Sequence, residues 1–245
     1  DSPSLMKISK NIKKPIVTYG TSPLADFRAI NIMYKAGKSF YNLVHNKKDF
    51  GQIRINAPGN HNVLNSLSAI ALGIELNIPF DKLKSGINNY RGVRRRFDIK
   101  ENNSEIMVVD DYAHHPTEVN ATITAAKTGW SRKIVSVFQP HLFTRTRDFY
   151  KEFAESLFQS DYIIITDIYP AREEPIKEIS SQLIVNELKR LGHQNIIYID
   201  NLTALNGTLD NLGLDNHMVI TMGAGDIWRY NDEYNAHLIK KNRAT

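Results

Sequence analysis

Residues 27–36 (FRAINIMYKA), 39–46 (SFYNLVHN) and 49–58 (DFGQIRINAP) alternate apolar and polar positions with the period of two expected of half-buried strands, joined by short turn-rich stretches. An earlier run, PIVTYG at 15–20, follows a short polar lead and is a further strand candidate. The period then lengthens. Residues 61–76 place Leu64, Leu67, Ala71 and Ile74 at helical spacing, and residues 79–90 open a second helix with proline in its first turn. Strands followed by a helix pair predict an α/β unit that ends near the basic knot RGVRRR at 91–96.

Beyond the knot the pattern changes to strand, helix, strand, helix. Continuous apolar runs at 106–112, 132–138, 161–168, 195–200 and 217–222 are separated by helical stretches near 116–128, 147–159, 179–191, 201–211 and 225–240. Unbroken apolar strands alternating with helices predict a mainly parallel sheet covered on both faces, a doubly wound, Rossmann-like domain. Functional groups in such sheets sit on loops at the carboxyl ends of the strands. Four stretches fall there: DDYAHHPTEV (110–119), QPHLFTRT (139–146), YPAREEP (169–175) and GAGD (223–226).

Composition narrows the chemistry. With 42% apolar and 23% charged residues the 245-residue chain is an ordinary globular sequence, long enough for two cores. It has no cysteine, which excludes disulfides, thiolate metal ligands and a cysteine nucleophile, and fits a cytoplasmic location. No apolar run reaches the length of a membrane span, and the opening DSPSLMKISK is not a signal peptide. The net charge of +5 suits a phosphate-bearing partner. Nucleic acid is not expected, because the basic residues are not interleaved with an exposed aromatic series.

Two familiar motifs are incomplete. KAGKS (35–39) ends like a phosphate-binding loop, but Ile32 stands where its first glycine belongs, and the stretch lies between two strands. It reads as a hairpin turn. GAGDIW (223–228) follows a strand and opens a helix, but Trp228 occupies the place of the third glycine of a dinucleotide fingerprint. In APGNHNVLNSL (57–67), Pro58 and Gly59 form a turn, Asn60 is the expected N-cap, and His61 and Asn65 share one helical face. That pair can hydrogen-bond a purine edge; a simple capping cluster explains it equally well.

PGNHNVLNSLSA, GVRRRFD, VVDDYAHHPTEV, FQPHLFTRT and GAGDI, in this order and spacing over nearly the whole chain, resemble the Mur ligases, and among them the alanine-adding enzymes. The resemblance implies that residues 1–93 are the C-terminal part of a central ATPase domain and residues 94–245 a Rossmann-like amino-acid-binding domain. It implies an ATP-dependent, Mg²⁺-assisted ligation of L-alanine to UDP-N-acetylmuramate through an acyl phosphate, in peptidoglycan precursor synthesis. His61 and Asn65 would contact adenine, Arg96 would reach ATP, and Asp111, beside Asp110, would hold the ribose. Tyr112, His114 and His115 would line the reaction site, with the two histidines as its catalytic pair. Arg145 would pair with the amino acid's carboxylate, with Asp226 nearby.

The phosphate-binding loop, the Mg²⁺ ligands and the UDP-binding domain lie upstream in the family. The chain is therefore expected to be a piece of a ligase about twice as long, carrying no metal ligands of its own and inactive alone. Leu142 stands where several relatives carry arginine. Zinc or iron on Asp110, Asp111, His114 and His115 is an alternative chemistry, although four donors within six residues rarely point inward together. A murein tripeptide recycling ligase and, if the natural chain begins at Asp1, a non-catalytic nucleotide-binding module are the competing functions.

Overall fold

A computed structural model describes residues 1–102 and 105–244. The chain divides into two compact units, Asp1–Gly92 with Thr128–Trp130, and Val93–Lys127 with Ser131–Thr245.

The first unit begins with helix α1 (Pro3–Ser9), where a polar lead was expected. Ser2 caps it by accepting from the Leu5 N–H at 3.4 Å, and Pro3 sits where its missing N–H does no harm. Strands β1 (Tyr19–Gly20), β2 (Phe27–Lys35), β3 (Lys38–His45) and β4 (Lys48–Ile55) form one sheet in sequence order, parallel at β1–β2 and antiparallel thereafter. Of the expected strand at 15–20 only the last two residues pair. Pro15 has no N–H to give, and Asp26 takes both the N–H and the hydroxyl of Thr18. The KAGKS stretch is the expected hairpin. Ala36 and Gly37 both adopt positive φ (47° and 74°), as a two-residue turn of this hand requires.

Helices α2 (Asn60–Glu75) and α3 (Phe80–Asn89) complete this unit. Val63, Leu67, Ile70 and Ala71 of α2 are buried against Phe27, Tyr41, Leu43, Ile53 and Ile55. The apolar stripe is thus turned slightly from the expected one, with Leu64 and Ile74 on its margin. Gly59, not Asn60, is the N-cap of α2; its φ of 98° suits glycine, while Asn60 already belongs to the helix. The Tyr41 hydroxyl, in a fully buried side chain, meets Ser66 at 2.9 Å and ties β3 to α2. Burial pushes that phenol up to about 12.

The second unit holds a six-stranded sheet: β5 (Asp98–Asn102), β6 (Ile106–Asp111), β7 (Lys133–Phe138), β8 (Tyr162–Thr166), β9 (Ile196–Ile199) and β10 (His217–Met222). Their spatial order is β5-β6-β10-β7-β8-β9, parallel throughout except for the antiparallel edge strand β5. Sequence pattern gave no sign of β5, whose DIKEN is too polar to read as a strand. The helices are α4 (Pro116–Gly129), α5 (Phe143–Leu157), α6 (Gln182–Arg190), α7 (Leu205–Asn211) and α8 (Ile227–Ala244). Helix α5 begins four residues before the expected 147, with non-helical dihedrals at Phe149, and the expected helix at 201–211 divides into a 3₁₀ turn (Leu202–Ala204) and α7. Among the described residues no helix is long and apolar enough to cross a membrane.

Register aligns the carboxyl ends of the central strands. Met222 of β10 pairs with Asp111 on one side and Phe138 on the other, and Phe138 pairs with Ile165. The loops after β6, β10, β7 and β8 therefore leave the sheet side by side, and Asp111 fastens the first of them. One of its oxygens accepts from the Phe97 N–H (3.0 Å) and the Thr122 hydroxyl (3.1 Å), the other from the Ala113 N–H (2.9 Å). The residue is 6% exposed. Burial lifts its carboxyl to about 6, against the lowering effect of the three hydrogen bonds.

Two outcomes follow from these contacts. Tyr41→Phe is expected to lower stability by about 1 kcal/mol in urea denaturation, the usual worth of one buried hydroxyl bond; a loss near zero would show that it does not tie β3 to α2. Because Asp111 holds its proton more tightly folded than unfolded, its contribution to stability is full below its ordinary value of 3.8 and declines as pH rises through about 6. Asp111→Asn is expected to destabilise the chain, by a deficit that shrinks by up to roughly 3 kcal/mol between pH 4 and 7.5. A deficit that grows with pH would contradict the assignment.

Candidate functional site

The loop after β6 carries Tyr112, His114 and His115 into the first turn of α4. Its conformation is held from both sides. The Tyr112 N–H donates to the Arg95 carbonyl at 2.7 Å, and Arg95 and Phe97 reach these contacts through left-handed dihedrals, φ 60° and 49°. Non-glycine residues adopt such angles only where surrounding contacts hold them, at roughly 1–3 kcal/mol each. On the other side Glu118, third in α4, accepts from the His114 N–H (3.0 Å) and the His115 N–H (3.3 Å). The Thr117 N–H points to His115 Nδ1 at 3.4 Å, so His115 serves as N-cap in a capping-box arrangement, with proline at the first helical position.

The two histidines therefore differ. Nδ1 of His115 faces a backbone donor and its ring packs edge-on against Phe149. Nδ1 of His114 lies 2.9 Å from the Tyr112 carbonyl, which can only accept, so the proton of neutral His114 belongs on Nδ1 and Nε2 keeps a lone pair. The Tyr112 ring meets His114 edge-on at 5.2 Å and has the guanidinium carbons of Arg95 and Arg96 over it at 4.7 and 5.6 Å. Arg95 also pairs with Asp110 (3.3 Å) and donates to the Gly223 carbonyl (2.8 Å). Asp110 is 1% exposed and accepts in addition from Thr221; burial, opposed by the charge of Arg95, raises its carboxyl.

The loops after β7 and β8 are zipped together. His141 and Tyr169 form a parallel bridge with stacked rings, the Leu142 N–H donates to the Tyr169 carbonyl, and the Tyr169 N–H to that of Pro140. Leu142 takes φ 74° at the head of α5, and Glu173 caps that helix through the Thr144 N–H and hydroxyl. One turn on, Arg145 extends toward the β6 loop. Its Nη1 lies 3.5 Å from the carbonyls of His114 and His141 and 3.3 Å from His141 Nδ1. Burial and the nearby Arg145 and His114 charges push His141 below its ordinary range, which suits an imidazole accepting from a guanidinium. Among the described residues Arg145 makes no ion pair; its partners are carbonyls and an imidazole. The Glu173 carboxylate, held on Thr144, is near enough to feel the Arg145 charge but does not pair with it, and a half-buried cation left without a direct ion pair where three loops converge suits an anionic ligand.

The loop after β10 closes the group. Gln139 donates to Asp226 at 2.8 Å and accepts from the Ile227 N–H, fixing Asp226 at the head of α8. A Cβ on Gly225 would lie 2.5 Å from Cγ of Tyr169, so only glycine fits between these loops.

The structure thus gathers Tyr112, His114, Arg145 and Arg96 about one loop and places Asp226 on the neighbouring one. Asp111 lies beneath, with both oxygens occupied by protein donors. His61 and Asn65 are in the other unit, exposed on α2. Asn65 borders two clefts there, one lined by Ile55, Ala69, Ile87 and Tyr90, the other by Leu5, Ile12, Val17 and Leu64. Among the described residues no group of three or more His, Cys, Asp or Glu is arranged to hold a metal ion. Sequence reasoning passed over Arg95, Glu118, His141, Tyr169 and Glu173. Glu118 was legible, since a glutamate third after a proline-started helix marks a capping box; the other contacts arise only from strand order.

Residues 95–225 match the family described as Mur ligase, glutamate ligase domain, and residues 1–73 the Mur ligase middle domain. The chain is 41% identical over 229 residues to the UDP-N-acetylmuramate–L-alanine ligase of Geotalea uraniireducens, covering 94% of this chain and 50% of that protein. Identity to the ligase of the same name from Salinibacter ruber is 39% over 235 residues, 96% and 50% of the two chains. The chain spans about half the length of the curated relatives it matches. Among solved structures, UDP-N-acetylmuramate-alanine ligase of Thermotoga maritima superposes with a TM-score of 0.79 at 27% identity over 92% of this chain and 48% of that one. The MurF ligase of the same organism in complex with ADP shares the fold, with a TM-score of 0.74 at 17% identity over 98% and 53% of the two chains. Two family domains in order, the second over more than half of the chain, establish that this chain belongs to the Mur ligase family.

Proposed function

We propose that the chain forms part of an ATP-dependent ligase that joins L-alanine to UDP-N-acetylmuramate in the cytoplasm, as a step in peptidoglycan precursor synthesis. In this reaction the muramoyl carboxylate takes the terminal phosphoryl group of ATP, releasing ADP. The amine of alanine attacks the acyl phosphate, a tetrahedral intermediate forms, phosphate leaves, and an amide remains. The observation that carries the reading is Arg145, a half-buried guanidinium without an ion-pair partner among the described residues, set beside Tyr112 and His114. A planar fork of donors is suited to a carboxylate, and an amino-acid substrate brings one.

The remaining roles follow from what each side chain touches. Tyr112, fixed by two guanidinium groups, forms a rigid wall that limits the size of the amino-acid side chain. His114 presents an unprotonated Nε2 in its neutral form and takes the proton that the alanine ammonium must lose before it can attack. His115 supports it from the cap position. Arg96, half-exposed, meets the phosphates of ATP, while His61 and Asn65 offer an imidazole and an amide to the adenine edge. Asp226, held by Gln139, orients the substrates from the β10 loop. Asp111 is the ribose candidate by family resemblance; in the arrangement described it acts on the site through the Phe97 and Ala113 backbone. Family resemblance also implies Mg²⁺, which would neutralise phosphate charge. The described residues offer it no ligand cluster, and no role above depends on it.

In steady-state assays of ADP release by the intact ligase, Arg145→Ala is expected to raise the KM for L-alanine by about 10- to 100-fold, the worth of a charge-assisted contact, with the KM for ATP nearly unchanged. Arg145→Lys is expected to recover only part of the loss. An unchanged KM for alanine, or ADP release indifferent to alanine, would overturn the reading.

A further inference from the structure

One carboxylate links residues assigned to two different substrates. Glu118 Oε2 lies 3.0 Å from the His114 N–H, 3.3 Å from the His115 N–H and 3.3 Å from His114 Nδ1. Its Oε1 lies 3.4 Å from Nη1 of Arg96. Capping α4 requires only the backbone contacts; the ion pair with Arg96 and the approach to the His114 ring go beyond it. The charges matter to the carboxylate. Burial raises Glu118, but the His114 N–H and the charges of His114 and Arg96 outweigh that and leave it below its ordinary value. Arg96 itself touches the same loop twice, through Glu118 and through the face of Tyr112.

We propose that Glu118 is a positioning residue that couples Arg96 to His114, so that nucleotide binding sets the loop that receives the amino acid. The proposal rests on the substrate roles given above for Arg96 and His114. A phosphate of ATP and the carboxylate of Glu118 compete for one guanidinium, because Arg96 cannot serve both with its full set of donors. When phosphate draws Arg96 away, Glu118 loses a counter-charge and its interaction passes to His114. The imidazole, already turned with Nδ1 toward Tyr112 and Glu118, is then held there more tightly, with Nε2 left for the amine. Alanine thereby meets an ordered site only after the nucleotide is in place. The coupling is reciprocal: bound alanine, by engaging His114, frees Arg96 for phosphate.

The test is a double-mutant cycle on the intact ligase, combining Arg96→Ala and Glu118→Gln and reading the KM for ATP and the KM for L-alanine separately. Arg96→Ala alone is expected to raise the KM for ATP and, by leaving Glu118 to His114, to lower the alanine value measured at low ATP by about fivefold, the scale of a typical coupling. In the Glu118→Gln background Arg96→Ala is expected to raise the KM for ATP as before, with no change for alanine. A purely structural cap would give the same alanine effect of Arg96→Ala in both backgrounds, and that result, or no effect in either, overturns the proposal. Thermal melts show whether Glu118→Gln folds; if it does not, Glu118→Asp, which keeps the charge at shorter reach, takes its place and is expected to retain part of the coupling.

Wild-type enzyme that releases no ADP in response to alanine would refute the substrate reading instead. The coupling is then read without turnover, in amide NMR spectra of this chain. Arg96→Ala is expected to move the His114 and His115 signals in the wild-type background and not in Glu118→Gln. Signals that move equally in both, or not at all, overturn it.

Discussion

A carboxylate buried at the end of a central strand sets the geometry of the second unit. Asp111 joins three pieces of chain: the segment entering β5 through Phe97, the loop after β6 through Ala113, and helix α4 through Thr122. Each donor would otherwise be a buried polar group without a partner, and such groups destabilise a fold by more than a made hydrogen bond stabilises it. The ion is kept against its own desolvation, visible as a carboxyl lifted to about 6. Because Asp111 cannot move without breaking all three bonds, Tyr112 and His114 project from a fixed base. Preorganisation of this kind would serve the proposed ligation, whose catalysis consists largely of bringing charged groups together.

Around that base the loops are braced in pairs. Arg95 spans from Asp110 to the Gly223 carbonyl, the β7 and β8 loops share the His141–Tyr169 bridge, and Gln139 reaches across to Asp226. The strained dihedrals at Arg95, Phe97 and Leu142 lie within these braces. Strain concentrated where loops converge, and held by hydrogen bonds on either side, is characteristic of a site kept in one arrangement for a ligand. Charge follows the same logic. Arg95 has Asp110 and Arg96 has Glu118, whereas Arg145 among the described residues hydrogen-bonds only carbonyls and an imidazole, with the Glu173 charge nearby but not paired to it.

Much of this was legible in the sequence. Apart from α1 and β5, strand and helix periods gave the order of elements in both units, and the five motifs gave the family. What escaped was what depends on neighbours distant in sequence. The polar edge strand β5 pairs because β6 offers it a ladder, not because DIKEN prefers to be extended. The early start of α5 is set by Leu142 in a left-handed conformation and by Glu173 from another loop. The tie between Arg95 and Gly223 spans 128 residues and exists only because β10 inserts between β6 and β7. Asp111 was expected to hold a ribose; its contacts with Phe97, Ala113 and Thr122 could not be read from a strand end that looks the same whether its carboxylate faces a ligand or the core.

The most direct test of the account is a crystal structure of the intact protein with L-alanine and a non-hydrolysable ATP analogue. The account expects the alanine carboxylate on Arg145 within about 3 Å, the length of a charge-assisted hydrogen bond, with Tyr112 and His114 flanking the amino acid and Asp111 still holding Phe97 and Ala113. Alanine bound away from the β6 and β7 loops, or Arg145 taken up by a nucleotide phosphate, would contradict it.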